Sequence, residues 1–283
     1  MSESERIKPT FAVVGLGFIA DRHIQAIEDV GGALVMACDT DINKFHKAGN
    51  ALCYRRWTDM HQSPLFANID YVSICTPNNL HLPMTEYFCA MGKKIICEKP
   101  TVIESKHLNK ITAYDDLINN VVQLRYNEEL AEMRGMIQET KVEHTAEFKI
   151  HIYRDKWYFN SWKNDRKQSG GLLFNIGIHY FDLLTWFFGK PTHVKLFNYE
   201  DNQAHGEVFF NGCKAKWSLA INAPIDNQQR YFMVDGKKIN LSKGFERLHT
   251  KVYEEVLADR GIKIRDIKPA LSLVESIMEE SYG

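Results

Sequence analysis

The chain has 283 residues, of which 45% are hydrophobic and 25% are charged. This is enough apolar material to bury the cores of two domains, and it excludes a disordered chain. The formal net charge is −1, so no overall field favours nucleic acid or an anionic membrane, and any anionic ligand has to be met by local cations.

The chain begins with the polar segment MSESERIKPT, which lacks the apolar stretch of a secretory signal. No later run reaches the roughly 18 apolar residues of a membrane span. The cysteines form no C-x-x-C pair, and several lie in apolar runs such as VSIC and KIIC, where cysteine usually behaves as a small buried hydrophobe. We therefore expect a cytoplasmic protein with no membrane partner.

The first 125 or so residues alternate short apolar runs with helical patterns. The apolar runs predict strands at 11–15, 33–39, 70–75, 93–98 and 119–124. The spacing between them predicts helices at 20–30, 41–50, 79–91 and 104–117. Near-continuous apolar strands separated by helices indicate a doubly wound parallel sheet covered on both faces. Residues 1–125 are thus predicted to form a Rossmann-type α/β domain.

From about residue 142 the strands follow one another without long helices between them. They are predicted at 147–153, 193–199, 206–210, 215–221 and 230–234, with a tight turn at Asp235-Gly236. Helices are predicted at about 171–188, 245–260 and 266–281. Residues 126–283 are thus predicted to form an α+β domain with a largely antiparallel open sheet, for substrate binding and oligomerisation. Its C-terminal helix can pack back on the first domain.

A glycine loop, Gly15-Leu16-Gly17-Phe18-Ile19-Ala20, lies between the first predicted strand and the first predicted helix. In this position a G-x-G-x-x-A loop lets the pyrophosphate of a dinucleotide approach the backbone at a helix N-terminus. Asp39 ends the second predicted strand, where an acid accepts from ribose hydroxyls and favours NAD over NADP. The alternative is an ordinary strand-to-helix turn capped by Asp39 or Asp41.

Three further segments carry a family resemblance. They are Thr76-Pro77-Asn78-Asn79-Leu80-His81, Glu98-Lys99-Pro100 and the run GGLLFNIGIHYFD at 170–182. Together with the glycine loop, in this order, they resemble the Gfo/Idh/MocA oxidoreductase family over nearly the whole chain. The resemblance implies NAD as cofactor and the following contacts with it: Gly15, Gly17, Phe18, Ile19, Asp39, Thr76, Pro77, Asn78, His81, Glu98 and Lys99.

A narrower resemblance rests on residues 157–163 and 169–179. Their residues WYFNSWK, followed by SGG and NIGIH, are similar to the UDP-N-acetylglucosaminuronate 3-dehydrogenases of the same family. This similarity implies NAD-dependent oxidation of the C3 hydroxyl of a UDP-linked N-acetylated sugar uronic acid, in the synthesis of surface polysaccharide precursors. Many family members have Asp where this chain has Asn175, so we expect Asn175 to orient substrate rather than to relay a proton.

Oxidation of an alcohol needs a hydride acceptor and a base for the hydroxyl proton. Lys99 is predicted at a strand end, on the sheet edge where ligands bind. Asn175, His179 and Asp182 are spaced to share one helix face. We expect His179 to be the general base and Lys99 to stabilise the developing alkoxide, with a cis peptide before Pro100 aiming the lysine. The alternative for His179 is a satisfied core histidine.

Cations and aromatic side chains are interleaved just before this helix. Arginine and lysine there can meet phosphate or carboxylate, and aromatic faces suit a uracil or sugar ring. The alternative is a solvated loop, which we prefer for Arg166 and Lys167; Arg125 and Asn127 are candidates for the opposite wall, and Asp182 is expected to position a neighbour. The expected substrate contacts are Lys99, Arg125, Arg154, Tyr158, Trp162, Lys163, Asn175 and His179.

Two other interpretations of the whole chain stay open. One is a family dehydrogenase acting on a different sugar or polyol, against which the basic and aromatic run argues. The other is a non-catalytic NAD-binding regulator, against which the lysine and histidine pair argues. The scattered histidines show no spacing of a metal site. One sheet face left uncovered by helices predicts a homodimer or homotetramer.

Overall fold

The computed structural model describes residues 8–140, 142–241 and 247–281, and it contains two six-stranded sheets. All strands of the first sheet run parallel, in the order β3-β2-β1-β4-β5-β6. This is a doubly wound, all-parallel Rossmann sheet, as the apolar runs predict, but β3 was not among the predicted strands. Its strands are β1 (Thr10–Val14), β2 (Ala33–Cys38), β3 (Leu52–Tyr54), β4 (Tyr71–Ile74), β5 (Lys94–Glu98) and β6 (Ile118–Val121).

The helices of the first half are fewer than predicted. They are α1 (Ala20–Asp29) and α2 (His81–Ala90), and α3 (Glu128–Gln138) follows the sheet without having been predicted. The predicted helices at 41–50 and 104–117 are wrong in type, because the chain there forms 3-10 turns. In the first of them, the Asp41 side chain caps the turn and Gly49 ends it with φ of 57°, which leaves too little length for a stable α-helix.

The second sheet is mixed, in the order β12-β11-β7-β10-β9-β8. Its two central strands, β7 and β10, run parallel, and every other neighbouring pair is antiparallel. The turn Asp235-Gly236, with φ of 49° and 80°, joins the last two strands as predicted. The strands are β7 (His144–His151), β8 (Pro191–Tyr199), β9 (Gln203–Phe210), β10 (Cys213–Ala220), β11 (Gln229–Val234) and β12 (Lys237–Asn240).

The helices of the second half include two short ones, α4 (Lys156–Phe159) and α5 (Arg166–Ser169). The others are α6 (Ile178–Phe188), α7 (Leu248–Leu257) and α8 (Ile264–Glu280). The first two residues of the helix predicted at 245–260 lie outside the described residues. Helix α7 packs on α1 of the first half, and α8 packs on α6 and β8. No helix in the described part of the chain is long and apolar enough to cross a membrane.

Helix α6 is pressed onto the second sheet by aromatic side chains. The ring of Phe181 lies 5.3 Å from that of Phe148 and 5.2 Å from that of Trp217, and all three side chains are buried. Burial of such rings stabilises a helix–sheet contact strongly. The start of this helix therefore has a fixed position, and it faces the carboxyl edge of the first sheet, where Lys99 contacts the backbone of Asn175.

Candidate active site

The glycine loop has the shape that a dinucleotide requires. Gly15 has φ of 90°, and a side chain there would place its Cβ 2.8 Å from the carbonyl of Cys75, so only glycine fits. A Cβ on Gly17 would meet nothing within 4 Å, which leaves this face open to a phosphate. Phe18 is 80% exposed, and Ile19 leads directly into α1. The residues present therefore fit a bound NAD pyrophosphate.

Asp39 is tied into this loop, whereas Asp41 is only a cap. One carboxylate oxygen of Asp39 accepts from the backbone N–H of Leu16 at 2.7 Å, and the other accepts from Asp41 N–H at 2.9 Å. The Lys44 ammonium lies 3.3 Å away. The Asp41 side chain accepts from Asn43 N–H at the start of a 3-10 turn. The acid at the end of β2 thus supports the loop that would hold the cofactor, and Lys44 offsets part of its charge.

The segment after β4 uses its polar side chains to hold neighbouring loops. His81 is buried, with Nδ1 2.7 Å from Pro100 O and Nε2 2.9 Å from Thr76 O. The Asn78 amide donates to Ser169 O at 2.8 Å, and Pro77 precedes this short turn. His81 and Asn78 thus position the loops around Lys99. A direct contact of either with the cofactor stays a prediction.

Lys99 lies at the end of β5, next to a cis Lys99–Pro100 peptide bond, as predicted. Its ammonium donates to the backbone oxygen of Asn175 at 2.7 Å. Burial lowers the pKa of Lys99 to about 8; the Glu98 carboxylate opposes this shift, and Lys163 and Arg154 add to it. Lys99 therefore exchanges a proton near neutral pH, unlike an ordinary surface lysine.

His179 lies beside this lysine on the first turn of α6. Its buried Nδ1 has no hydrogen-bond partner among the described residues, so it is not a satisfied core histidine. Burial, followed by the nearby Lys99 charge, holds the pKa of His179 well below its usual value. The imidazole is therefore neutral near pH 7.

A π-helical turn, Leu173–Gly177, immediately precedes α6. It carries Asn175, whose amide donates to the Tyr158 hydroxyl at 2.9 Å. Wide turns of this kind insert a residue into a helix and are frequent at functional sites. Here the turn directs the Asn175 backbone oxygen towards Lys99 and its side chain towards the aromatic segment.

The basic and aromatic segment forms one wall of the site. Arg154 lies 5.6 Å from the Tyr158 ring, and its buried Nε has no hydrogen-bond partner in the described ranges. The Lys163 ammonium lies 5.4 Å from the ring of Trp157 and 5.8 Å from that of Trp162. Within residues 8–140, 142–241 and 247–281, neither cation has an ion-pair partner, and Lys99 has none either. This wall is thus suited to an anionic ligand.

Arg125 is not free to bind substrate, which corrects its assignment to the opposite wall. Its guanidinium donates to both carboxylate oxygens of buried Asp182 at 2.8 and 2.6 Å, and also to Asp266 O. Asp182 therefore positions a neighbour, as expected. Asn127 caps α3 by accepting from Leu130 N–H. Both residues have structural roles. Asn127 satisfies a free N–H group at the start of α3, and Arg125 satisfies the buried Asp182 carboxylate.

Sequence reasoning missed a buried cluster behind Lys99. The Nε2 atoms of His23 and His249 lie 3.0 and 3.1 Å from the same Glu98 oxygen, and these ligand atoms could hold a metal ion. The two contacts are hydrogen bonds that account for the cluster without an ion. Gln123, next to β6, was also missed, and its buried Oε1 has no partner within the described chain. The sequence offered one signal for this cluster. Glu98 ends an apolar strand, and a buried carboxylate needs hydrogen-bond donors from elsewhere in the chain.

The fold and this site together define a class of protein. A glycine loop after β1 of a parallel Rossmann sheet, and a lysine and histidine brought together at its carboxyl edge, are the parts of a nicotinamide-dependent oxidoreductase. Residues 10–126 match the model of the Gfo/Idh/MocA oxidoreductase family, NAD-binding Rossmann fold, and residues 134–221 match that of its C-terminal α/β domain. The chain belongs to this family, and NAD is its cofactor.

The chain is similar to solved structures over most of its length. The WlbA (WbpB) dehydrogenase from Thermus thermophilus, in complex with NAD and UDP-GlcNAcA, has a TM-score of 0.88 and 29% identity, covering 95% of this chain and 94% of that one. Its complex with NAD and α-ketoglutarate has a TM-score of 0.85 and 30% identity, covering 93% and 92%.

Curated relatives are matched over shorter stretches. The D-glucoside 3-dehydrogenase of Escherichia coli is 28% identical over 237 residues, which are 76% of this chain and 64% of that protein. Two uncharacterised oxidoreductases of Schizosaccharomyces pombe are matched over 39% and 36% of their own length. The chain thus spans less than two thirds of these relatives.

Proposed function

We propose that this protein uses NAD to oxidise the C3 hydroxyl of a UDP-linked N-acetylated sugar uronic acid. The observation that carries the proposal is a group of three cations, Lys99, Arg154 and Lys163, none of which has a carboxylate partner among the described residues. Arg154 and Lys163 lie close enough to Lys99 to lower its pKa further than burial alone does. Partly buried positive charges without partners are costly. A ligand that carries phosphates and a carboxylate would neutralise them.

In this proposal His179 accepts the hydroxyl proton, because its imidazole is neutral, is close enough to feel the Lys99 charge, and has a buried Nδ1 without a partner among the described residues. The Lys99 ammonium donates to the reacting oxygen and stabilises its developing negative charge. Asn175 fixes Lys99 through its backbone oxygen. Bound NAD supplies the hydride acceptor. Gly17 belongs to the loop that would hold its pyrophosphate, and Asp39, at the end of β2, would hold its ribose.

The substrate class is supported by the wall of the site and by the structural likeness. Trp157, Trp162 and Tyr158 offer rings beside Lys163 and Arg154, which suits a uracil or sugar ring next to anionic groups. The Thermus thermophilus enzyme, 29% identical, was solved with UDP-GlcNAcA. A role in surface polysaccharide precursor synthesis, a cytoplasmic location and a homodimer or homotetramer belong to the same proposal.

A second candidate is oxidation of a glucoside that carries no nucleotide. The similarity to the Escherichia coli D-glucoside 3-dehydrogenase favours it. It leaves the cations Arg154 and Lys163 without an anionic partner, so we rank it second.

The test is to incubate the purified protein with NAD and either UDP-N-acetylglucosaminuronic acid, UDP-N-acetylglucosamine or methyl glucoside. Product mass is followed together with NADH absorbance, since NADH held on the protein would hide turnover. We expect the uronic acid alone to lose two hydrogens, and His179→Ala to form no product. Turnover of methyl glucoside in preference to the uronic acid would overturn the nucleotide-sugar assignment.

A further inference from the structure

Glu98 has a demanding position, because it is a buried carboxylate next to the proposed catalytic lysine. It ends β5 and points towards α1 and α7, whereas Lys99 contacts Asn175 on the other side. His23, in the first turn of α1, and His249, on α7, both approach one carboxylate oxygen. The other oxygen accepts from the Lys99 backbone N–H at 3.3 Å. The carboxylate is thus held by three separate segments of the chain.

The hydrogen bonds of this cluster define one arrangement of protons. Both Nε2 atoms have to donate, because an ionised carboxylate only accepts. His23 Nδ1 then accepts from the Tyr253 hydroxyl at 2.8 Å, and that hydroxyl accepts from Ser73 at 2.6 Å. These hydrogen bonds connect Ser73, through Tyr253 and His23, to Glu98, and each side chain in the series has a partner. His249 and Tyr253 are one turn apart on α7, so a single helix face supplies both.

We propose that His249 and His23 are positioning residues for Lys99 that act through Glu98. They keep the buried carboxylate ionised and fixed, so that it holds the Lys99 backbone and supports the positive charge of the Lys99 ammonium. The part that concerns catalysis rests on the proposed function. Helix α7, which lies beyond the residues matched to the family's second domain, thereby supports the active site from behind Lys99.

The charges around the cluster agree with this role. Burial by itself raises the pKa of Glu98, but the hydrogen bonds from the two histidines outweigh it and hold that pKa well below its usual value. Burial raises the pKa of the thiols of Cys75 and Cys97, which lie close enough to feel the carboxylate charge, so both stay neutral. Glu98 is then the negative charge that opposes the lowering of the Lys99 pKa.

On the other side, Lys99 faces Arg154, Lys163 and His179. The first two are cations that lower its pKa, and the neutral histidine adds no charge. Loss of the Glu98 charge would therefore leave the Lys99 ammonium among like charges only, and its pKa would fall below about 8.

The test follows Glu98 directly by NMR titration of protein labelled with ¹³C at the glutamate carboxyl carbon, with the resonance assigned by Glu98→Gln. In His249→Leu one donor is lost, so the protonation of Glu98 should move to higher pH by about one unit or more. His249→Gln keeps an N–H donor near the Nε2 position and should restore the native titration. If the leucine variant does not fold, His249→Asn serves instead, because its shorter amide does not reach the carboxylate.

A double variant, His23→Leu with His249→Leu, removes both donors and leaves burial to dominate. We expect the pKa of Glu98 to rise above its usual range in this protein, and the basic limb of turnover to move below that of the native enzyme. The double glutamine variant is its matched control. The titration needs no sugar, so a native protein that oxidises no nucleotide sugar would overturn the proposed function and leave the Glu98 result standing.

The inference is overturned if Glu98 titrates in folded His249→Leu, or in folded His249→Asn, as it does in the native protein. It is also overturned if a chelator shifts the native titration, because an ion bound by the two histidines would then hold the carboxylate.

Discussion

Raising the pH through about 8 should remove the proton from Lys99 and stop the proposed reaction. Burial lowers the pKa of this lysine to about 8, so the ammonium is present below that pH and lost above it. Between pH 7 and pH 9 the protonated fraction falls about tenfold. The rate of product formation at substrate well below its KM, which reports the pKa values of the free enzyme, should fall by the same factor. The His179 pKa lies well below its usual value, so the acid limb does not overlap.

The assay needs variants that separate the charge of Lys99 from its shape. Lys99→Arg keeps a positive charge at every pH used, so its lower rate should show no basic limb. Lys99→Met should be nearly inactive throughout. Lys167→Met, which removes an exposed lysine from the short helix α5, should keep the native profile. A native profile that stays flat to pH 10, or a basic limb that persists in Lys99→Arg, would refute the assignment.

Three other predictions test neighbouring parts of the structure. Arg154→Met should raise the KM for the uronic acid about tenfold or more while NAD binding measured by fluorescence stays unchanged; an equal effect in Lys167→Met would contradict it. Asp182→Asn leaves Arg125 buried without a charge partner, so the free energy of unfolding, measured by denaturant titration, should fall by about 3–5 kcal/mol. The double variant Asp182→Leu with Arg125→Met removes both charges and should recover stability. Asp39→Asn should weaken NAD binding and improve the ratio of NADP to NAD turnover, and an unchanged ratio would count against this residue as the ribose acid.

Much of the fold could be predicted because its signals are local. Apolar runs of four to six residues mark four of the buried parallel strands, and the positive φ at Asp235-Gly236 follows from turn chemistry. The 3-10 turns at 42–48 and 105–117 were missed because helical spacing does not distinguish a short tight turn from an α-helix. The division between domains at residue 125 stays a prediction.

The site was predictable where chemistry is carried by a motif and not where it depends on distant contacts. The positions of Lys99 and His179 follow from strand and helix ends. The pairing of Arg125 with Asp182 does not, because the two lie 57 positions apart and only the packing of α6 brings them together. The same is true of His249, which meets Glu98 across 151 positions. Long-range partners of buried charges thus have to be taken from the structure.

These long-range partners explain how one site can hold both signs of charge. Lys99, Arg154 and Lys163 lie close enough for their charges to interact, and none has a carboxylate partner in the described chain, so we propose that an anionic substrate completes them. Glu98 lies behind the lysine and is satisfied entirely from within, by donors on α1 and α7. Since its hydrogen bonds are saturated, the carboxylate supports the lysine without competing for it. The lysine ammonium therefore stays available to the reacting oxygen, which a direct Glu98–Lys99 ion pair would prevent.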